Sequence, residues 1–342
     1  MKKIIALLII GFLVLGCIGN GDNGGKPVDD DNQTIEDPNN DGEDNDTDVD
    51  IGNDTDQDFI DDVEIVIDDI DEPDEIIVVD DPNAELNVRF FNVGYASSAL
   101  ISKGDVNILV DAGDPTSGTR IVDKIKSIGV NKIDVMIITN PSDRKISGAS
   151  YVLDNFQVGE VWDNGASTEN YDKVKTKIKE MGIETKTIRA GNSFVYNGMN
   201  LDFYNPDEEN IQPNNPNINS LVFVLKDRSF SVMFTSDLEN NELRKLLTNQ
   251  PTLYSNIVEI PRNGKSAIRE LSSSTQEIVR LIDATRPDAM ILSVGPNSDK
   301  APSPQLITAI ETQGVKIYRT DTAGNILITY NLGKGYEIYE NN

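Results

Sequence analysis

The turn that follows the apolar run Ile137–Thr139 holds the side chains of this chain best suited to chemistry. Its polar residues, all within six positions, are Asn140, Ser142, Asp143, Arg144 and Lys145. Carboxylate and amide oxygens can hold a hard cation such as magnesium or calcium weakly. The basic side chains can bind an anion. A serine can act as a nucleophile if a nearby lysine serves as its base.

The composition removes several of the usual mechanisms. The 342 residues include no histidine and a single cysteine, Cys17. Imidazole therefore cannot serve as acid, base or metal ligand. A Cys/His zinc site and an intramolecular disulfide are excluded as well.

The net charge of −28 is distributed unevenly along the chain. Residues 18–84 carry 26 acidic side chains against one lysine, whereas residues 85–342 carry 32 acidic and 27 basic side chains. Neither part has the basic face of a general nucleic-acid binder, so no such binding is expected. The acidic part cannot bury enough apolar surface to offset its ordering entropy, which predicts a disordered tether over 18–84.

The first 17 residues, MKKIIALLIIGFLVLGC, predict an export signal. Thirteen apolar or glycine residues follow the two lysines, and as a helix they span about 20 Å, short of a hydrocarbon core of about 30 Å. The end of the segment, VLGC, resembles a lipoprotein signal, which implies lipidation of Cys17. The alternative is an uncleaved N-terminal anchor. Both interpretations predict an exported protein on the outer face of the cytoplasmic membrane, with the membrane as partner.

The alternating aspartates of the acidic tether raise a second interpretation, calcium binding or adhesion. Asp44, Asp46, Asp48 and Asp50 have the spacing that begins a helix–loop–helix calcium loop. Counted from Asp46, however, Ile51 stands at the glycine position and Gln57 at the glutamate position. The pattern therefore favours a solvated spacer.

From residue 85 onward, short apolar runs predict a mixed α/β domain over 85–342. Three strands, LNVRFFNV, SSALISK and VNILVDAG, come first. The helix GTRIVDKIKSIGV, the buried strand IDVMIIT and the helix ISGASYVLDNF follow. Hairpins are expected at Asn197-Gly198 and at residues 226–228. Strands then alternate with helices to the end. This order predicts a four-layer αββα sandwich, with two sheets face to face and helices outside.

Motifs along residues 85–342 resemble the metallo-β-lactamase fold. More narrowly, they are similar to the extracytoplasmic domain of ComEC-type DNA-uptake proteins and their stand-alone relatives. The motifs that carry the resemblance are FFNVGYASSAL, ILVDAG, TNPSDRKISG, FQVGEVWDNG, NINSLVFVL, FTSDLE, VEIPRNGKS, LSVGPNSDKAPSPQLI and VKIYRTDTAGNILI.

The resemblance implies a site with two zinc ions held by histidines, but this chain has none of those ligands. The positions of the family's cleft are occupied here by Asn140, Ser142, Asp143, Arg144, Lys145, Asp237, Arg262, Asn263 and Ala301. Asp237 matches a residue that bridges both metals in relatives, and it is a weak metal candidate here. By the same resemblance, Asp111, Asn219 and Ser220 support the site. No cofactor is expected.

Three functions remain open from the sequence. In the first, fixed cations have replaced the metals, Lys145 or Arg262 pairs with Asp237, and the domain is an inactive binding or scaffold module. Candidates for binding a small anion are then Arg144, Lys145, Arg262 and Lys265. The second is an unorthodox metal-dependent hydrolase of the nuclease or phosphodiesterase type, and the third is a calcium-binding or adhesive surface protein. The resemblance implies envelope or DNA-uptake proteins as partners.

Overall fold

The computed structural model describes residues 3–4, 81, 83–212, 215–265 and 271–341. Cys17 and the acidic segment with Asp44–Asp50 lie outside the described residues, so the predictions made for them stay predictions. Among the described residues, no helix is long and apolar enough to cross a bilayer.

The described strands form two sheets. The strands are β1 (Lys3–Ile4), β2 (Leu86–Phe90), β3 (Ala99–Lys103), β4 (Val106–Val110), β5 (Lys132–Ile138), β6 (Gln157–Asp163), β7 (Glu184–Thr187), β8 (Ser193–Tyr196), β9 (Met199–Asn205), β10 (Val222–Asp227), β11 (Phe230–Phe234), β12 (Ile257–Glu259), β13 (Ala289–Leu292), β14 (Lys316–Arg319), β15 (Asn325–Asn331) and β16 (Gly335–Asn341). The first sheet has the order β1-β16-β15-β2-β3-β4-β5-β6-β7, and the second has the order β14-β13-β12-β11-β10-β9-β8.

Helices cover the outer faces of both sheets. They are α1 (Gly118–Ser127), α2 (Asp143–Ile146), α3 (Ala149–Asn155), α4 (Glu169–Glu180), α5 (Asn240–Asn249), α6 (Leu271–Thr285), α7 (Pro304–Thr312) and α8 (Thr320–Ala323). One apolar cluster lies between the sheets. A second joins the first sheet to α1, α3 and α4, and a third joins the second sheet to α5, α6 and α7. This arrangement confirms the predicted four-layer αββα sandwich.

The local predictions are confirmed with two corrections. The hairpin at Asn197-Gly198 forms as expected, but the next one turns at Arg228-Ser229 because Asp227 still pairs with Phe230. The segment ISGASYVLDNF is not one helix: α2 ends at Ile146 and α3 begins at Ala149. Gly148 stands at the break, where a Cβ atom would lie 1.9 Å from the carbonyl oxygen of Ala112. This close approach explains why a glycine interrupts the helical segment.

The strand directions place the polar turns at one end of the sandwich. Strands β4, β5 and β6 run parallel, and so do β11, β12, β13 and β14. The carboxyl ends of parallel strands meet at the same edge. The turns after β4, β5, β11, β12 and β13 therefore come together there and carry the predicted cleft residues.

Candidate functional site

A buried hydrogen-bond network joins the two sheets at this end of the sandwich. Asp111, directly after β4, accepts from the backbone N–H of Thr139 at 2.8 Å and from its hydroxyl at 2.7 Å. The Thr139 hydroxyl also contacts the hydroxyl of Ser236, in the turn after β11, at 2.7 Å. Asp111 and Ser236 both have positive φ angles (59° and 54°), a backbone conformation that is uncommon for residues other than glycine.

Lys145 lies at the centre of this network and is only 1% exposed. Its ammonium donates to Asp111 Oδ2 at 3.0 Å and lies 4.0 Å from Asp237 Oδ1. The prediction that Lys145 or Arg262 pairs with Asp237 therefore needs refinement, because the closest partner of Lys145 is Asp111. The ammonium stands between two buried carboxylates that face it from different sheets.

Asp237 is buried and receives weaker contacts than Asp111 does. Its Oδ2 accepts from the Ser142 hydroxyl at 3.4 Å and lies 3.7 Å from Arg144 Nη2. Its Oδ1 has no hydrogen-bond partner. Such a carboxylate is costly to bury unless cations compensate its charge, and Lys145 and Arg144 supply that compensation.

A third buried carboxylate, Glu259, comes from the end of β12. It accepts from the backbone N–H groups of Thr235 and Ser236 at 3.1 and 3.0 Å. Sequence reasoning missed this residue, although a single charge in the apolar strand IVE was a signal that it pairs inside the protein.

The pKa values in this cluster move in the directions that burial and pairing dictate. Burial raises the pKa of Asp111, although Lys145 and the Thr139 hydrogen bonds oppose it. Burial also raises the pKa of Glu259. For Lys145, burial lowers the pKa, but Asp111, Asp237 and Glu259 together outweigh it, so the pKa lies above its usual value. Lys145 is thus an ammonium at neutral pH and cannot act as a general base.

These residues do not fit the pair of zinc ions that the resemblance implies. The Lys145 ammonium already occupies the position between Asp111 and Asp237 where a cation would be held. Zinc also prefers nitrogen and sulfur ligands, and histidine is absent. Within the described ranges, no group of three or more His, Cys, Asp or Glu side chains has the geometry of a metal site.

Other cleft positions hold the loops together. The Asn140 amide donates to Pro216 O at 3.0 Å and to Ser220 Oγ at 3.1 Å. Asn219 exchanges two hydrogen bonds with the backbone of Gln212. Asn140 and Ser220 therefore fix the 215–220 loop against the turn after β5, and Asn219 ties the loop to Gln212.

The turn after β12 is likewise tied to its neighbours. Asn263 donates to Ser293 O at 2.6 Å and to Ser97 Oγ at 3.2 Å. Arg262 donates its backbone N–H to Ser236 O at 2.9 Å. Ala301 exchanges hydrogen bonds with the Asn297 side chain. Asn263, Ala301 and the backbone of Arg262 thus make structural contacts.

At the mouth of the cleft, Arg144 and Lys265 meet Asp299, a partner that the sequence did not indicate. Lys265 Nζ lies 2.8 Å from Asp299, Arg144 lies 3.8 Å away, and the Tyr95 hydroxyl donates at 3.0 Å. The Arg144 guanidinium also stacks on the Tyr95 ring at 4.9 Å. The hydrogen bond from Lys265 holds the pKa of Asp299 below its usual value. Asp299 is therefore charged at neutral pH and neutralises part of the predicted anion site.

Asp143 does not join the cluster. Its side chain is exposed and accepts from Asn170 of α4 at 2.9 Å. Because α2 begins at Asp143, residues 143 and 145 face different directions, and Lys145 alone points inward. Asp143 therefore faces α4 rather than the buried carboxylates.

Replacing Glu259 by glutamine is expected to change how stability depends on pH. The folded pKa of Glu259 is raised, so its contribution to stability is complete below the unfolded pKa of about 4.3 and is lost as pH rises through the folded pKa. In that window, wild type should lose up to about 1.4 kcal/mol per pH unit relative to Glu259→Gln. Urea unfolding from pH 4 to 8 measures the difference.

The matched control for this experiment is Glu169→Gln. Glu169 lies on α4 with a 92% exposed side chain that contacts Lys173 at 3.4 Å. Its removal should leave the pH profile parallel to that of wild type. A parallel profile for Glu259→Gln would contradict the prediction.

No protein-family model and no curated protein sequence matches this chain. Among solved structures, the chain is similar to the metallo-β-lactamase fold protein YhfI from Bacillus subtilis, with 10% identity, 71% of this chain and 99% of that chain covered, and a TM-score of 0.49. It is also similar to CmlA, a diiron β-hydroxylase from Streptomyces venezuelae, with 13% identity, 74% and 55% covered, and a TM-score of 0.46.

A third similar structure is MEM-A1, a subclass B3 metallo-β-lactamase from a soil metagenome library. It has 13% identity, 60% of this chain and 90% of that chain covered, and a TM-score of 0.39. At such identities the likeness concerns the fold alone. The fold class of this chain follows from its own layers and strand orders.

Proposed function

We propose that this protein is an exported, membrane-anchored and catalytically inactive domain that acts as a binding or scaffold module. The observation that carries the proposal is the position of Lys145, whose ammonium lies between Asp111 and Asp237. In related enzymes that place belongs to metal ions. A fixed cation can balance the buried carboxylates, but it cannot generate a hydroxide as a bound metal does.

The main alternative is catalysis through a serine or a different metal. A serine nucleophile at Ser142 would need a neutral amine beside it, but its hydroxyl contacts Asp237 and the pKa of Lys145 is raised. A hard cation would have to compete with Lys145 for Asp237 and Asp111. Both routes are therefore less well supported than an inactive site.

The proposed partners follow from the N-terminal segment with Cys17, from the fold and from the cleft mouth. The membrane is the proposed partner of a lipidated Cys17, and envelope or DNA-uptake proteins are partners by analogy with the fold. A small anion at the mouth would have to displace Asp299 from Arg144 and Lys265. The calcium-binding alternative concerns the acidic segment alone.

The test measures metal content and turnover on the purified full-length chain. We expect substoichiometric zinc, iron and manganese, and no hydrolysis of phosphodiester or single-stranded DNA substrates with added zinc, manganese or magnesium. A Lys145→Met variant serves as control, because it empties the position between the carboxylates. A stoichiometric metal in the wild-type chain, together with turnover that chelation abolishes, would establish the hydrolase instead.

A further inference from the structure

A cavity of about 630 Å³ lies on the outward face of strands β2, β15 and β16, in a different part of the first sheet from the ion cluster. The strand register shows which side chains share this face. Leu327 of β15 is paired with Arg89 of β2 on one side and with Tyr339 of β16 on the other. These three residues therefore form one row across the strands.

A second row runs parallel to the first. Thr329 is paired with Asn87 of β2 and with Glu337 of β16. Side chains two residues apart on a strand point to the same face, so both rows line the cavity. Its floor combines one apolar side chain, Leu327, with hydroxyl and amide groups and with the charged side chains of Arg89 and Glu337.

Arg89 is the one cationic side chain of these two rows, and its guanidinium has no carboxylate partner in the described part of the chain. It is half-buried, and the described residues provide neither a hydrogen-bond acceptor nor an ion-pair partner for its guanidinium. Burial lowers the pKa of Arg89, and no carboxylate offsets that effect. A guanidinium has five N–H donors in a planar fork, and partial burial without acceptors is unfavourable.

Two of the three carboxylates that line the cavity (Glu85, Glu337 and Glu340) accept hydrogen bonds from their neighbours. Glu85 accepts from the Asn331 amide at 2.6 Å and from the Asn87 amide at 3.2 Å. Glu337 accepts from the Tyr339 hydroxyl. Neither side chain is bonded to Arg89. The cavity thus keeps its arginine donors available while two of its acidic groups are already bonded.

We propose that this cavity binds a small polar ligand through an oxyanion, a carboxylate or a phosphate, whose oxygens accept from Arg89. Arginine is the side chain suited to such groups because its fork matches two oxygens at once. The ligand body lies on Leu327, within reach of the Thr329 hydroxyl. Lys334, in the turn between β15 and β16, adds a second positive charge at the rim.

The proposal is independent of the ion cluster and does not require the proposed function. It predicts that replacing Arg89 weakens ligand binding without lowering the stability of the protein. Arg89→Met removes the only unbalanced cation of the rows and keeps the length of the aliphatic side chain. The variant should lose oxyanion binding while its melting temperature without ligand stays the same or rises, as expected for a residue kept for binding rather than for stability.

The full-length chain is titrated with inorganic phosphate and, separately, with succinate. Binding is measured by calorimetry and by changes in amide NMR shifts. We expect at least one probe to bind and Arg89→Met to weaken that binding by about 10- to 100-fold, the effect of losing charge-assisted hydrogen bonds. Lys334→Gln should weaken it by less than about threefold, since an exposed charge contributes little. Arg144→Gln, at the cleft mouth, should leave it unchanged.

Three outcomes would overturn the proposal. The first is that neither probe binds to wild type, and the second is that binding survives in Arg89→Met. The third is that Arg144→Gln abolishes binding, which would move the anion site to the cleft mouth. A phosphate-only or a succinate-only response that depends on Arg89 supports the proposal and identifies the oxyanion.

Discussion

Replacement of Lys145 by methionine is expected to lower the free energy of unfolding by about 3–5 kcal/mol, the usual cost of leaving buried charges without their partner. The substitution leaves Asp111, Asp237 and Glu259 buried close to one another with no cation between them. Like charges in a region of low dielectric repel strongly. Urea or guanidinium unfolding of the full-length chain at pH 7.5 measures the loss.

Two further variants test whether the loss of stability is specific to the buried charge of Lys145. Arg144→Met should cost only about 0–1 kcal/mol, because Arg144 is about one-third exposed and its closest carboxylate oxygens are 3.7–3.8 Å away. Adding Asp111→Asn to Lys145→Met should recover part of the stability, since one uncompensated charge is removed. A small loss for Lys145→Met, or no recovery in the double variant, would contradict the central role of this lysine.

The second large effect is expected at the opposite end of the sandwich, where Lys103 and Asp227 form a buried ion pair. Lys103 ends β3 in one sheet, Asp227 ends β10 in the other, and their charged atoms are 2.7 Å apart with side chains at most 2% exposed. The contact is made by Asp227 Oδ2, and both the Lys103 ammonium and Asp227 Oδ1 are buried without a hydrogen-bond partner. Lys103→Met should therefore destabilise the protein by about 3–5 kcal/mol, measured by chemical unfolding.

The double variant Lys103→Met/Asp227→Leu separates charge from packing. Because an apolar pair of similar volume avoids the desolvation penalty, the double variant should regain most of the lost stability. Lys226→Met is the matched control, since Lys226 contacts Asp202 at 2.8 Å but is 41% exposed. Equal losses for Lys226→Met and Lys103→Met would show that burial does not decide the effect.

The sequence carried enough information to predict the architecture, because strand and helix periodicity is local. The apolar run IDVMIIT and the alternation after residue 240 predicted the buried parallel strands that the structure contains. The exact position of the turn at Arg228-Ser229 and the helix break at Gly148 were harder to predict. Both depend on contacts made elsewhere, the pairing of Asp227 with Phe230 and the carbonyl of Ala112.

The site was predicted less completely, for a physical reason. That Lys145 and Asp237 share one cleft followed from motif positions, and the structure brings them within 4.0 Å. Which carboxylate contacts Lys145 depends on the rotation of the one-turn helix α2 about its axis. In the observed rotation Lys145 contacts Asp111, and Asp143 points to the surface. Glu259 and Asp299 reach the site from segments that lie far from Lys145 in the sequence. No local sequence pattern encodes these contacts.

Arg89 is the clearest example of information that only the assembled sheet contains. In the run LNVRF it alternates with buried residues and has the pattern of an ordinary outward-facing strand position. Its lack of a partner becomes visible only when β15 and β16 are placed beside it.

The position of Lys145 also determines whether the stability of the fold depends on free ions in the surroundings. A cation that belongs to the polypeptide cannot dissociate, so its contribution to stability does not vary with any free ion concentration. Scavengers and competing ions that strip a metalloprotein have nothing to remove at this position. The stability that this cluster supplies should therefore not depend on the supply of trace elements.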